Sequence, residues 1–205
     1  LPRAAALRWG FLQERRRRTA RQSPADPFDV TAFDDVQIGF RWDGTSLLSL
    51  IHVDANPQAM TVLEPGVTVS GEMVSIQVLI DCLRQFDITV DSIDIVSQGA
   101  RSHGHTDVAS VYDAALGPLP AIAQRSVWIA VRFDPSQCAE AVRRRGGGRE
   151  GILRTAATAT RRVANRLTEA GLRPRILSAN GITAASHQLS DGVDLATVEE
   201  TWDMC

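Results

Sequence analysis

Lysine is absent from this chain of 205 residues, and all 22 of its basic residues are arginine. Every basic side chain other than histidine therefore keeps its charge and can form paired hydrogen bonds with a carboxylate or a phosphate. We interpret the bias as a sign of a high-GC genome rather than of a physical demand. Aromatic residues are also scarce, at 5% of the chain, whereas a hydrophobic fraction of 44% is ordinary for a globular domain.

Cysteine is rare and scattered along the chain. The three cysteines, Cys82, Cys138 and Cys205, lie far apart and are odd in number. Neither a disulfide framework nor a metal-ligand spacing emerges from them. This pattern predicts a reducing, cytoplasmic environment.

Long hydrophobic runs are missing as well. No stretch reaches the about 18 consecutive apolar residues that a membrane-spanning helix requires, and no signal peptide is visible. The chain begins with Leu1-Pro2 rather than with methionine. We therefore expect it to be a fragment of a longer protein, in which an upstream membrane segment would not be seen here.

Recognisable catalytic motifs are absent from the sequence. The P-loop pattern is missing, because its lysine and its serine or threonine do not occur in the required places, and no Gly-x-Ser-x-Gly occurs. The segment from His103 to Asp107 has metal-ligand residue types, and Asp134 could complete a site. His-x-His is a weak signal, however, and a polar loop before a helix explains the same residues. The sequence thus predicts no catalytic residue, no cofactor and no metal site.

Positive charge is concentrated at the N-terminus. Residues 1–22 hold seven arginines and one glutamate, a net charge of +6, and the other 183 residues hold 15 arginines and 23 acids, a net charge of −8. A basic helix with an interfacial aromatic residue is typical of the cytoplasmic flank of a membrane helix, next to an anionic lipid surface. A solvated charged helix and a nucleic-acid-binding arm are the alternatives, although the acidic body argues against nucleic acid. The membrane-proximal candidates are Trp9, Arg15, Arg16, Arg17 and Arg18.

We divide the chain into a basic juxtamembrane helix with a linker, residues 1–27, and a cytosolic α/β domain, residues 28–205. In the second part, alternating apolar residues predict a strand over Val36–Trp42, the pair Asp43-Gly44 predicts a hairpin turn, and Thr45–Val53 is the returning strand. His52 lies in this strand among apolar residues and is predicted to be a satisfied core or edge histidine. Further along, the patterns predict a strand at 60–63, a helix with an apolar stripe at 76, 79, 83 and 86, a strand at 93–96, a loop at 98–105 and a helix at 106–115. They then predict strands at 126–133 and 175–177, and helices at 182–189 and 195–202 with Asn180 and Asp194 as candidate caps. This order predicts an α/β fold with a mixed sheet that opens with an antiparallel hairpin and carries helices packed on its faces.

The stretch from 126 to 171 is the centre of the predicted fold. Val127–Val131 is a continuous apolar run, typical of a strand buried on both faces. Ser136 is the predicted cap of a short helix that ends near Arg145. A long helix follows, whose apolar residues recur every three or four positions, and Gly171 lies where a left-handed residue ends a helix.

Between these two helices the sequence places three arginines and three glycines. Bare amides beside a positive helix end could bind an anion, whereas an exposed loop is the simpler interpretation. The loop at 98–105 offers further residues for contact with an anion or a partner. We expect removal of the charges at 143–145 to leave the fold intact and to weaken assembly with partners. The candidates are Arg143, Arg144, Arg145, Gly146, Gly147, Gly148, Arg101, His103 and His105.

Seven features follow one another along the chain in an order that matches one known family. They are Arg41–Gly44, Cys82–Asp87, Val111–Asp113 with Leu116–Pro118, Val127-Trp128 with Val131-Arg132, Arg145–Gly148, Arg161–Leu167 and Glu199–Trp202. Together, from about residue 28 to 202, they resemble EccE, the peripheral membrane-complex subunit of the actinobacterial type VII (ESX) secretion machinery.

The resemblance implies two transmembrane helices upstream of the cytosolic domain, and more chain after Cys205. It implies as partners EccB, EccC and EccD and the mycosin protease, of which EccC is the ATPase. EccE carries no known catalytic residues, so a structural subunit rather than an enzyme is expected. An α/β domain that binds an anionic small ligand, such as a nucleotide or nucleotide-sugar, or that resembles a transferase, remains the alternative.

Overall fold

The computed structural model describes residues 25–32, 35–56, 61–64, 67–70, 73, 75–100, 107–116 and 124–190. Its strands are β1 Phe28–Thr31, β2 Gln37–Asp43, β3 Ser46–Asp54, β4 Thr61–Glu64, β5 Val67–Ser70, β6 Arg84–Gln85, β7 Ile88–Thr89, β8 Ser92–Ala100, β9 Gln124–Phe133 and β10 Arg173–Ile176. Its α-helices are α1 Ile76–Asp81, α2 Asp107–Leu116, α3 Ala139–Arg144, α4 Gly148–Glu169 and α5 Ala179–Leu189, and a 3₁₀ turn, Pro135–Cys138, precedes α3.

Among the described residues, the main sheet has six strands. Five of them lie in the order β1-β2-β3-β9-β8, and the sixth, β10, pairs with the part of β3 that β2 does not reach. The β2–β3 hairpin confirms the predicted opening of the sheet, with Gly44 at φ 65° in its turn. The sequence predicts a mixed sheet, but every strand pair in the described ranges is antiparallel. The helical connections of this fold do not join parallel neighbours. The connection that contains α2 joins the antiparallel neighbours β8 and β9, and the strand that follows α4, β10, pairs antiparallel with β3.

Strands β3 and β9 are buried on both faces of the sheet. On one face, alternate residues such as Ile51 and Ile129 join a core that includes the buried side of α4. On the other face, the intervening residues Leu50 and Trp128 join a second core with Ile182 of α5. The α/β class is therefore confirmed as a three-layer arrangement, with the central sheet between α4 and α5.

Helix α4 buries the stripe that the sequence predicts. Its buried residues are Gly151, Thr155, Ala156, Ala157, Ala159, Thr160, Val163, Ala164 and Leu167. The hydroxyls of Thr155 and Thr160 donate to carbonyl oxygens one turn earlier, at 2.6 and 3.0 Å, so each polar group is satisfied inside the core. Gly171 lies two residues past the end of the helix. Its φ of 84° lets the amide of Leu172 donate to the Leu167 carbonyl at 3.0 Å.

Strand β2 lies directly against the start of α5. The Gly39 amide donates to the carbonyl of Leu177 at 2.8 Å, and Asp29 of β1 accepts from the amide of Ala179 at 2.7 Å. The side chain of Ser178 accepts from the Gly181 amide at 3.3 Å and caps the helix. The prediction of Asn180 as the cap is wrong, because α5 begins one residue before it.

Several boundaries differ from those predicted. The helix predicted through Phe86 ends at Asp81, because the chain turns there into the short β6–β7 hairpin. Residues 98–100, predicted as part of a loop, extend β8 along β9. The cap before the 3₁₀ turn is Asp134, which accepts from the backbone and hydroxyl of Ser136.

Other predicted elements are confirmed with small shifts. The strand predicted at 60–63 is β4, and β5 pairs with it. The helix predicted at 106–115 is α2, and the strand predicted at 175–177 is β10. The predicted helices at 1–22 and 195–202 lie outside the described residues. Among the residues that the structure describes, no helix is both long and apolar enough to cross a membrane.

The contact between Gly39 and α5 gives a first prediction. A Cβ at Gly39 would lie 2.3 Å from the carbonyl carbon of Ser178. We expect Gly39→Ala to lower the free energy of unfolding by at least about 2 kcal/mol, because backbone cannot yield as a side chain can. Gly181→Ala at the same junction is the control, since its Cβ would meet only the Leu177 side chain, at 3.1 Å, and it gains helix propensity. Equal unfolding midpoints in urea for the two variants would contradict this account.

The link between sheet and helix gives a second prediction. Ser49 Oγ and Thr160 Oγ1 are 2.7 Å apart and buried. Thr160→Val should destabilise the chain by about 1–3 kcal/mol, because it leaves the Ser49 hydroxyl unpaired in the core. Adding Ser49→Ala should recover most of that loss. Thr158→Val on the outer side of α4 is the control, and a double variant no more stable than Thr160→Val alone would show that the pair is not coupled.

Candidate interaction surface

The six residues Arg143–Gly148 comprise the end of α3, a tight turn and the first residue of α4, and we call this segment the arginine–glycine turn. Its glycines have φ values of 106°, 66° and 53°, conformations that other residues adopt only at a cost. The amides of Gly146 and Gly147 donate to carbonyls of α3, at 3.1 and 2.9 Å. Gly151 lets the helices approach closely, since a Cβ there would lie 2.4 Å from the Val142 carbonyl oxygen. The prediction of a turn between two helices is confirmed.

The arginines of this turn have carboxylate partners. Arg143 and Arg144 both pair with the exposed Glu140, Arg144 at 3.1 Å. Arg145 reaches across to Asp87 with two hydrogen bonds, of 2.8 and 3.1 Å, and also donates to the Ala141 carbonyl at 3.0 Å. The turn therefore uses its positive charge and two of its glycine amides in contacts within the chain.

The partner of Arg145 lies on the β6–β7 hairpin, whose two turn residues are Phe86 and Asp87. Phe86 has a positive φ of 57° and is 98% exposed. Positive φ at the first turn position of a two-residue hairpin is normally assigned to glycine. The prediction that Phe86 belongs to a buried helical stripe is wrong, because the helix ends five residues earlier. The sequence carries no turn signal here, since the position holds an aromatic residue.

Helix α4 and a local side-chain hydrogen bond hold this hairpin in place. The Arg162 guanidinium lies 5.2 Å from the centre of the Phe86 ring and donates to the Gln85 carbonyl at 3.0 Å. The buried Gln85 side chain donates to the Cys82 carbonyl at 2.9 Å. We call the surface formed by Arg84, Phe86, Asp87, Arg145 and Arg162 the Phe86 knob.

The ion pair of the knob changes the acidity of its carboxylate. The hydrogen bond from Arg145 holds the pKa of the Asp87 carboxyl below its usual value, partial burial opposes this, and the charges of Arg145 and Arg162 add to the lowering. Arg162 lies 3.9 Å from the same carboxylate. Asp87 therefore stays charged at any pH near neutrality, and Arg145 remains bound to it.

A second polar cluster lies where β3 and β10 pair. His52 Nδ1 is 2.6 Å from Asp54 Oδ1, and Arg175 also bonds Asp54, at 3.2 and 3.3 Å. Burial raises the pKa of Asp54, but hydrogen bonds from Arg175 and His52 outweigh it, so the pKa is lowered overall. The His52 ring packs edge-on to Trp128. The prediction of a satisfied histidine is confirmed, and the cluster fastens the two strands together.

Metal-ligand residues do not gather in the part of the chain that the structure describes: no group of three His, Cys, Asp or Glu side chains could hold an ion there. The side chain of Asp134, proposed as a possible ligand, accepts hydrogen bonds from Ser136 and Gln137. Several sequence candidates lie outside the described residues, namely Arg101, His103, His105, Trp9, Arg15, Arg16, Arg17 and Arg18.

A cavity of about 290 Å³ lies between β1 and the first half of α4. Val30, Leu153 and Ala157 give it an apolar floor, and Glu150 and Arg154 stand at its rim. These two charged side chains pair with each other along the helix. The cavity therefore has an apolar floor and a charged lining, to which Arg161 also belongs.

The Arg145–Asp87 pair gives a third prediction. Since the folded-state pKa of Asp87 lies below its unfolded value of about 3.9, the stabilisation is complete above that value and is lost as pH falls through the folded pKa. Arg145→Gln should lower the free energy of unfolding by about 1 kcal/mol or less near neutrality and should weaken its fall in acid. Arg144→Gln is the control, because its Glu140 partner is fully exposed. Parallel pH profiles of the unfolding midpoint for wild type and Arg145→Gln would refute this role.

Comparison with known proteins adds an independent line of evidence. The family described as "Putative type VII ESX secretion system translocon, EccE" matches residues 121–205. The ESX-1 secretion system protein EccE1 of Mycobacterium tuberculosis H37Rv is 30% identical over 198 residues, which cover 93% of this chain and 40% of that protein. EccE1 of Mycolicibacterium smegmatis is 28% identical over 200 residues, covering 94% and 40%. The ESX-5 protein EccE5 of Mycobacterium marinum is 27% identical over 173 residues, covering 80% and 41%.

The chain thus spans about two fifths of the length of the curated relatives it matches. The family match covers the end of the sequence from residue 121, and the similarity to individual relatives extends over nearly all of it. Both comparisons agree with the resemblance carried by the sequence features. The chain therefore belongs to the EccE family.

Proposed function

We propose that this chain is part of a non-catalytic structural subunit of a type VII (ESX) secretion membrane complex, where it supports protein export through contacts with other subunits. The observation that carries the proposal is the similarity over 93% of the chain to a protein named as an ESX-1 secretion system protein. The chemistry of the described residues supports it, because the three arginines of the arginine–glycine turn are bound to carboxylates of the same chain. Such pairs commit these three arginines to contacts that stabilise the surface of the turn.

The position in the cell and the partners belong to the same proposal. The basic residues 1–27, with Trp9 and Arg15 to Arg18, would lie at the anionic surface of the cell membrane. The α/β domain, residues 28–205, would then lie on the cytoplasmic side. The expected partners are EccB, EccC, EccD and the mycosin-type protease of the same complex.

The alternative of an anionic small-ligand domain rests on the arginine–glycine turn as a phosphate cradle. Two glycine amides of that turn donate to α3, and Glu150 occupies the first turn of α4. A carboxylate there already satisfies the preference of a helix start for negative charge. These contacts favour the structural role over the ligand-binding one.

Assembly gives a fourth prediction. The full-length protein, tagged and solubilised from membranes in mild detergent, should co-purify with the other components of its secretion complex. Arg143→Gln combined with Arg144→Gln should keep the thermal midpoint, because both arginines are exposed and pair only locally, and should reduce recovery of the partners. Gel filtration and mass spectrometry would measure both effects. Recovery of the wild-type protein as a free monomer would refute the proposed function.

A further inference from the structure

We propose that the Phe86 knob is a docking anchor that inserts into an apolar pocket on a partner protein, and that carboxylates rim this pocket. The inference rests on the proposed function as an interaction subunit and specifies which surface makes the contact. It follows from the exposure of the ring, the backbone conformation beneath it, and the charges around it. The sequence alone predicts none of these, because it places Phe86 in a buried stripe.

The exposure of Phe86 is extreme for an aromatic side chain. Scattered apolar residues are normal on a protein surface, but a phenylalanine that is 98% exposed leaves almost its whole ring in water. Its φ of 57° is a conformation in which a bulky residue is strained. Glycine would fit this turn position without strain. An exposed ring held in a strained backbone conformation is the kind of outlier that points to a function.

The turn that carries the ring is held in position before any partner arrives. Arg162 stacks on it, with the guanidinium 5.2 Å from the ring centre, and bonds the carbonyl of the preceding residue. Arg145 holds the following residue, Asp87, with two hydrogen bonds. A turn that is already fixed loses little conformational entropy on association. The fixed turn therefore presents the Phe86 ring in a defined direction, which favours binding to a partner.

The charges of the knob indicate the partner's chemistry. Two arginines, Arg145 and Arg162, face one acid, Asp87, and Arg84 lies on the same hairpin, two residues before Phe86. The five residues that define the knob therefore have a net charge of +2. Interfaces pair opposite potentials, and aromatic and arginine side chains dominate binding energy at their centres. The complementary surface is an apolar pocket sized for one ring, with aspartate or glutamate at its edge.

A protein partner fits these observations better than a lipid surface does. Attraction to anionic lipids grows with the number of available cations. The knob has a net charge of only +2, which is below that of the clusters of about four to eight basic residues that bind anionic lipids. A single ring in one defined geometry fits a shaped pocket, whereas a bilayer requires no particular geometry.

The test uses the full-length protein in its native membranes. Phe86 is replaced by the photocross-linking analogue p-benzoylphenylalanine, and Val111 of α2, which is 67% exposed, carries the same analogue as a matched control. We expect a cross-link from position 86 to a subunit of the secretion complex, at a peptide with apolar residues and a nearby aspartate or glutamate. A cross-link to lipid only, no cross-link, or equal products from both positions would overturn the inference.

Substitutions then separate binding from folding. Phe86→Gly should reduce partner recovery at least about tenfold, whereas its thermal midpoint should stay close to that of the wild type, because glycine suits the positive φ. Phe86→Tyr should retain recovery, and Val111→Ala should leave it unchanged. Equal recovery for wild type and Phe86→Gly would overturn this inference alone. Failure of the wild-type protein to recover any subunit would overturn the proposed function as well.

Discussion

Burial of β3 and β9 on both faces is the constraint on which the rest of the structure depends. A strand pair with apolar residues on both faces cannot leave either face in water, so each face needs a covering layer. Helix α4 covers one face with a stripe of small residues, and α5 covers the other through Ile182. The close approach of Gly39 to Ser178 follows from this arrangement, because the start of α5 must pass over β2 to reach its face.

The features that could be predicted from the sequence are those with a local cause. Asp43-Gly44 specifies its hairpin because glycine accepts the positive φ, and the apolar spacing of α4 with Gly171 at its end specifies the long helix. The caps were less certain, because Ser178, Asn180 and their neighbours offer several side chains of similar capping power. The start of α5 depends instead on its tertiary contacts with β1 and β2, through Asp29 and Gly39.

The candidate site was predictable only in part, because its contacts join distant segments. The arginine–glycine turn was identified from glycines beside arginines, but its Asp87 partner is 58 residues away. The hairpin that carries Phe86 could not be predicted, since the apolar spacing of 76, 79, 83 and 86 continued a helical pattern past its true end. Membership of the EccE family was visible in the sequence because it depends on the order of many short features rather than on any single contact.

The attachment of β1 has a mechanical consequence. Phe28 is at the open end of the β1–β2 ladder, where it pairs with Phe40, and the next residue, Asp29, is bound to the start of α5 at 2.7 Å. A pulling force applied from the N-terminal side therefore acts first on Phe28 and Asp29. Phe28 is fixed to the sheet, and Asp29 is also fixed to the layer of α5. Pulling along the strand would load all four residue pairs in shear at once, whereas pulling across it would open them one after another. The direction of an applied force would decide how firmly the sheet resists it.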